Sequence, residues 1–304
     1  MRNMKIIVIL GQTSTGKSDF AVEVAKLVNG EIISADSRQV YKGMDLGTGK
    51  ITKKEMRGVP HHLLDVTSPS KIFSVSHFQK IANKKVKEIL KKGKIPIICG
   101  GTGFYIDSII NNSIFPAVPP NEKLRKILDK KSLEQLFEIL KKLDKERALN
   151  IDNNNKVRLI RAIEIAKALG QVPHLETFHR SDLWKYKVLK IGLTLPPEIL
   201  KERIKNRLLA RLKKGMLKEI ENLHKNGLSW KRMEALGLEY RYGVLYLQGK
   251  ISKEELIEKI KTETWHYAKR QKTWFKRDPN IVWIDPTKNK DKNLALKTTK
   301  EFLK

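Results

Sequence analysis

A single cysteine, Cys99, is all that 304 residues carry. One thiol excludes a disulfide within the chain and leaves nothing from which to build a cysteine-based structural zinc site. It lies in the apolar run Ile95-Pro96-Ile97-Ile98-Cys99, where a small buried strand residue is expected. Long apolar runs are also missing: none approaches the length of a membrane span, and the N-terminus lacks the tripartite pattern of a signal peptide. No membrane partner is therefore expected, and the cytoplasm is the expected location. Internal repeats and long low-complexity tracts are absent as well. Acidic residues are scarce: Asp+Glu 33 against Lys+Arg 62 gives a net charge of +29. That excess is too large for one bound diphosphate and is the footprint expected of a phosphate-rich partner, nucleic acid first. A compositional bias toward lysine, asparagine and isoleucine is the competing explanation. With 40% hydrophobic residues, the chain can bury a substantial core in one large or two modest domains.

What is present begins with Gly11-Gln12-Thr13-Ser14-Thr15-Gly16-Lys17-Ser18, which fits the phosphate-loop pattern G-x-x-x-x-G-K-[ST]. It follows the strand-like run Met4 to Leu10 and precedes an amphipathic helix with Phe20, Val24, Leu27 and Val28 on one face. In such a turn backbone N–H groups point at phosphate oxygens, Lys17 neutralises the terminal phosphate, and the Ser18 hydroxyl is a magnesium ligand. A second strand, Glu31 to Ser34, delivers Asp36 to the same sheet edge. Asp36 there suits a proton acceptor, a magnesium holder through water, or a cap for the next turn. His61-His62 carries no i, i+4 partner and reads as structural or part of a substrate loop rather than as a metal site. A surface helix from Val75 to about Lys92 and a strand from Ile95 to Cys99 follow. Gly100-Gly101-Thr102-Gly103 then places Thr102 at the shared edge.

The phosphate loop, Ile33-Ser34-Ala35-Asp36-Ser37-Arg38-Gln39-Val40-Tyr41-Lys42-Gly43-Met44-Asp45-Leu46-Gly47-Thr48, His61-His62-Leu63-Leu64-Asp65 and Gly100-Gly101-Thr102-Gly103 together resemble the bacterial tRNA dimethylallyltransferase family. The likeness runs over nearly the whole chain. It implies magnesium-dependent transfer of a dimethylallyl group from dimethylallyl diphosphate to N6 of the adenine next to the anticodon, position 37. The chemistry agrees, since loop amides, Lys17 and Mg²⁺ would neutralise departing diphosphate, and Asp36 would take the proton that the amine sheds. By the resemblance Asp36, Ser37, Arg38, Gln39 and Thr102 contact tRNA, with Thr102 in the channel where a flipped-out adenine meets the allylic tail.

Asn111-Asn112-Ser113 and Pro116, Pro119 and Pro120 mark a boundary, after which helical periodicity dominates. The expected architecture is α/β: a P-loop NTPase-like parallel sheet core (1–112 with 184–304) and an inserted all-helical domain (113–183), which by resemblance clamps the anticodon stem-loop. Three helices are expected in the insertion: Asn121 to Lys130, Leu133 to Leu143 and Val157 to Leu169. Asp152 or an adjacent asparagine would cap the third. The segment matching the family there makes Val157, Arg158, Leu159, Ile160 and Arg161 candidates for tRNA contact, with Arg125 as a further one. The core resumes with the strand Tyr186 to Leu193, and Pro197-Glu198 opens a helix with Arg203, Arg207 and Arg211 in one stripe. The family places an arginine matching Arg207 against the diphosphate. Glu239 stands where the family's usual wording has glycine, although Tyr240 and Arg241 remain as tRNA candidates. A last long helix from about Lys253 interleaves basic and aromatic residues, making Lys269, Arg270, Gln271 and Trp274 candidates for phosphate binding and base stacking. The alternative there is that the tryptophans are core anchors. A closing strand, Ile281 to Ile284, and a lysine-rich terminal helix complete the chain, expected to act as a monomer. A phosphate-loop kinase, a free-AMP prenyltransferase and a non-catalytic RNA-binding module are the competing functional readings.

Overall fold

The computed structural model describes residues 4–173 and 186–304. In chain order its elements are β1 (Met4–Gly11), α1 (Lys17–Val28), β2 (Gly30–Ser34), α2 (Lys53–Met56), β3 (His61–His62), α3 (Val75–Lys91), β4 (Ile95–Gly100) and α4 (Gly103–Ile110). Then come α5 (Glu122–Leu128), α6 (Leu133–Leu143), α7 (Lys145–Asn150), α8 (Lys156–Leu169), β5 (Tyr186–Leu193), α9 (Pro197–Lys213) and α10 (Met216–Lys225). The chain closes with α11 (Trp230–Glu234), α12 (Leu238–Leu247), α13 (Lys253–Phe275), β6 (Ile281–Ile284) and α14 (Asn289–Leu303). Two compact units result, Met1–Asn111 with Asp182–Lys304, and Asn112–Ser181. The expected boundary between 183 and 184 lies outside the described residues.

The first unit is built on a six-stranded sheet of order β3-β2-β4-β1-β5-β6 in which every pairing is parallel. Parallel strands covered on both faces need apolar side chains in both directions, which is why β1 is a continuous apolar run. Alternate residues of β1 divide accordingly. Ile6, Val8 and Leu10 pack with Phe78 of α3 and Tyr105 of α4, whereas Ile7 and Ile9 pack with Phe20 and Val24 of α1. Leu27, expected on the buried face of α1, is 36% exposed; Ala21, Val22 and Ala25 are buried instead. The histidine pair is the edge strand β3, with His61 Nδ1 against the Val59 carbonyl and His62 Nε2 2.7 Å from the buried Glu31 carboxylate. Connections leave the central strand β1 toward β2 on one side and reach β5 on the other, so the carboxyl end of β1 is a topological switch point, where parallel sheets open a crevice.

The second unit contains α5 to α8 among its described residues, around a core of Leu128, Leu136, Leu140, Leu159 and Ile163. The short α7 was not among the three helices read from periodicity. Asn155 caps α8, its side chain accepting the Arg158 N–H. The buried Glu164 carboxylate binds Arg125 through two 2.8 Å bonds and Arg161 at 3.2 Å, and also accepts the Asn121 N–H. Arg161 reaches the Val118 carbonyl as well. These contacts revise several expected RNA contacts. Leu159 and Ile160 point into the core, and the guanidinium groups of Arg125 and Arg161 already hold the unit together. Val157 is 77% exposed, and the Arg158 side chain is 59% exposed and lies 3.4 Å from Asp152, its one charged partner among the described residues. Replacing Leu159 by Ala should therefore cost about 3 kcal/mol in urea unfolding. Arg158→Ala should stay within about 0.5 kcal/mol of the parent in the same experiment.

Candidate active site

The carboxyl ends of β1, β2 and β4 open onto a cavity of about 620 Å³. Between β1 and α1 the chain turns through Ser14 (φ 62) and Gly16 (φ 90), the latter being the N-cap of α1 in the left-handed region that glycine occupies without strain. The back of this loop is pinned from within: the Thr15 hydroxyl donates to the Gln12 carbonyl at 2.8 Å, and the Gln12 amide donates to the Ala268 carbonyl on α13. Gln12 and Thr15 are consequently buried, while Thr13, Ser14, Gly16, Lys17 and Ser18 line the cavity. The Lys17 ammonium donates to the Gln12 carbonyl. Burial brings its pKa down to about 8; neighbouring Arg207 acts in the same direction, while Cys99 and Asp36 oppose it. Cys99 is the buried strand residue that its context implies, its thiol pushed up to about 12 by burial and so held protonated.

Asp36 follows β2 and forms a turn, its Oδ1 accepting the N–H of Arg38 at 2.8 Å and of Gln39 at 3.4 Å. Its Oδ2 takes no donor among the described residues, so capping uses one oxygen and leaves the other available. Thr102 is the N-cap of α4, and its Oγ1 accepts the Ser37 N–H at 3.1 Å, tying the exit of β4 to the exit of β2. The Tyr267 hydroxyl lies against Thr102 and Gln271, and burial raises its pKa. Gln271 spans the site: its Oε1 accepts the Thr13 N–H at 2.7 Å while its Nε2 donates to the Gly101 carbonyl at 2.9 Å. A Cβ at Gly101 would lie 2.2 Å from that nitrogen, so only glycine admits the strut.

The third wall is α9. Arg203, Arg207 and Arg211 all line the cavity, where the sequence singled out only Arg207. Arg207 reaches the Thr13 hydroxyl at 3.4 Å and the Gly49 carbonyl at 3.2 Å. Burial, then Arg211, lowers its pKa to about 10, against the pull of Glu239, Asp36 and Glu55. Glu239 itself pairs with Arg211 at 3.0 Å. Two cations in close quarters, loop amides above a helix N-terminus and a carboxylate on the opposite wall make a place for a phosphorylated ligand beside a proton acceptor.

Of the remaining candidates, Ser37, Arg38, Gln39, Arg241 and Arg270 also line this cavity, and Lys269 is exposed on the same helix as Arg270. Three others are spoken for. Tyr240 is 1% exposed and donates its hydroxyl to Glu219 at 2.7 Å, Gln271 is the buried strut, and the Trp274 indole N–H binds Asp107 at 2.9 Å. The Trp274 ring packs against Gly103 with Arg277 above it at 5.2 Å, which is an anchor's environment. Tyr267, Glu55, Glu239 and the two outer arginines of α9 belong to the site without having been assigned to it. For the arginines the spacing of four was a legible signal; for Glu55 and Tyr267 nothing distinguished them from their neighbours.

A family model described as IPP transferase matches residues 39–278. The chain is 47% identical over 272 residues to tRNA dimethylallyltransferase 2 of Treponema denticola, a match that covers 89% of this chain and 91% of that one. Among solved structures it is similar to the full-length tRNA isopentenylpyrophosphate transferase of Bacillus halodurans, with a TM-score of 0.72 and 34% identity over 98% of each chain. It is also similar to a eukaryotic dimethylallyltransferase crystallised while acting on tRNA, with a TM-score of 0.81 and 28% identity over 99% of this chain and 79% of that one.

The depressed Lys17 pKa has a measurable consequence. An anion at the loop favours charged Lys17, and the free protein gives up that charge as pH rises through about 8. Affinity for inorganic diphosphate should therefore weaken more steeply between about pH 7 and about pH 9 in the parent than in Lys17→Met, which has no proton to lose there. Calorimetric titrations giving identical slopes for the two proteins would remove Lys17 from the ligand.

Proposed function

The chain belongs to the IPP transferase family, and from that premise we propose that it transfers the dimethylallyl group of dimethylallyl diphosphate to N6 of the adenine at position 37 of tRNA. The observation that carries this reading is a single cavity with a cationic phosphate-loop end, formed by Lys17 and Arg207, and a carboxylate, Asp36, whose Oδ2 is unengaged among the described residues.

The roles follow from charge. As the C1–O bond of the allylic diphosphate breaks, its electron pair goes to the departing oxygen, and the loop amides with Lys17 and Arg207 stabilise the charge that builds there. The lone pair of the adenine N6 forms the new bond to C1. That nitrogen then becomes acidic, and Asp36 accepts its proton. Thr102 and Tyr267, whose hydroxyls lie against one another near Asp36, set the wall against which the base would lie. Ser18, exposed at the first turn of α1 with a hydroxyl that makes no hydrogen bond among the described residues, and Asp36 acting through water offer the hard oxygen donors that Mg²⁺ prefers. When bound, the ion would neutralise part of the diphosphate charge. No group of three His, Cys, Asp or Glu side chains suited to a metal occurs among the described residues. Its remaining ligands would accordingly be water and diphosphate oxygens.

Arg158 with Val157, and Arg38, Arg241, Lys269 and Arg270 around the cavity, are the exposed groups available to RNA, and the helical unit would clamp the anticodon stem-loop. No helix among the described residues is long and apolar enough to cross a membrane. We take the enzyme to act in the cytoplasm as a monomer.

The test is a transfer assay with Mg²⁺, dimethylallyl diphosphate labelled in the prenyl chain, and unmodified tRNA bearing adenine at position 37, with AMP and ATP as parallel acceptors. Label on N6 of tRNA adenine alone is expected; turnover of ATP without transfer would make the protein a kinase. Asp36→Ala should slow transfer by about 100-fold or more while inorganic diphosphate affinity is kept. Equal loss of both would make Asp36 a metal ligand first. Arg158→Ala should weaken tRNA binding and reduce the salt slope by about 1.

A further inference from the structure

The segment from Asp45 to Gly49 belongs to no strand or helix, yet the arginines of α9 lean on it. The Gly47 carbonyl accepts from Arg211 at 3.4 Å, and the Gly49 carbonyl accepts from Arg207 at 3.2 Å. Clearance is small: a Cβ on Gly49 would fall 2.4 Å from an Arg207 nitrogen, and one on Gly47 would fall 2.5 Å from the Tyr240 ring. Where this backbone sits therefore decides where the arginine forks point.

Gln39 donates its amide to the Gly49 carbonyl at 3.3 Å, and two charged side chains hold the rest of the segment. Lys50, with its side chain 6% exposed, donates to the Tyr41 carbonyl, Asp45 and Asp65 at one end. At the other, a single carboxylate gathers the turn. Glu219 Oε2 accepts the N–H of Asp45 at 2.9 Å and of Leu46 at 2.7 Å, while Oε1 accepts the N–H of Gly47 at 3.0 Å and the Tyr240 hydroxyl at 2.7 Å. Three successive amides converging on one carboxylate give the loop a conformation that its own sequence does not impose.

We propose that Glu219 is a positioning residue for the diphosphate half of the reaction, setting Arg207 through the Asp45–Gly49 backbone without touching substrate. The inference rests on reading the cavity as a diphosphate site. Arginine orientation matters because its fork engages phosphate oxygens in a fixed plane, and a guanidinium released from its carbonyl must be ordered again on each binding event. In Glu219→Gln an amide NH₂ faces backbone N–H donors, which loosens the loop with little change in volume.

The experiment is a double-mutant cycle read by calorimetric titration of inorganic diphosphate in the presence of Mg²⁺, with transfer kinetics alongside. Glu219→Gln should bind diphosphate about tenfold more weakly, with the kinetic loss falling on KM for dimethylallyl diphosphate rather than on kcat. Introduced into Arg207→Ala, it should cause little further loss. A full tenfold loss in the Arg207→Ala background, or unchanged affinity in the single variant, overturns the proposal. Tyr240→Phe, which removes one of the four donors, serves as the milder variant should Glu219→Gln not fold. It should show a smaller loss that is likewise absent without Arg207. Absence of transfer by the parent protein would refute the prenyl-transfer reading while leaving the Glu219–Arg207 coupling to be judged by diphosphate binding alone.

Discussion

Two buried cations sharing one cavity are the constraint on which the rest of this structure depends. Burial lowers the pKa of both Lys17 and Arg207; Arg207 depresses Lys17 further, and Arg211 depresses Arg207 further. An arrangement of that kind is unfavourable without an anion to complete it, and it persists only when rigid surroundings hold it. The surroundings are visible: a phosphate loop pinned from behind by Thr15 and Gln12, the Gln271 strut, and a glycine-rich segment gathered on Glu219. None of these groups is itself cationic. Their work is to keep two positive charges where water alone would let them separate.

The sheet was readable in the sequence because parallel strands covered on both faces are written as apolar runs. β5 and β6 have the bounds that the apolar pattern implied, and β1, β2 and β4 differ by a residue at one end. The fold class follows from those runs and the phosphate loop between them. The helices α2, α4, α7, α10, α11 and α12 went unread; in α2, α7 and α11 four to six residues carry no periodicity to detect. Motif positions located the walls of the cavity better than they assigned side chains. Asp36, Thr102 and Arg207 line or border it, whereas the polar groups of Tyr240 and Gln271, although at its wall, are engaged with protein, and Leu159 and Ile160 lie in the core of the second unit. A motif preserves a segment's place in the fold, and on a helix successive residues point about 100° apart, so a few neighbours face different surroundings. Glu219 was invisible for a different reason: three of its four donors are backbone amides, which leave no mark on the residues bound.

Charge separates into two uses. Much of the +29 excess is lysine on exposed helix surfaces, where it is solvated and weakly directional. Arginine is concentrated where geometry counts, as the stripe on α9 and as the pair on Glu164. The same residue type thus serves two different tasks, holding a helical core together in one unit and facing a cavity in the other.

The position of β1 in the sheet also governs the order in which this molecule can be made. Its two neighbours are β4 and β5, and Met4 pairs with Tyr186. Of the six strands β1 is the earliest in chain order, and it keeps one edge open until the more than 170 residues up to β5 have followed. An apolar strand with an unpaired edge is a template for wrong pairing, and closing so long a loop is slow. The helices of the second unit, by contrast, pack through near neighbours in sequence and can form in the interval. Synthesis thus completes the helical insertion first and the phosphate-binding sheet last, so that the nascent chain's exposure to aggregation is concentrated in the stretch between β4 and β5.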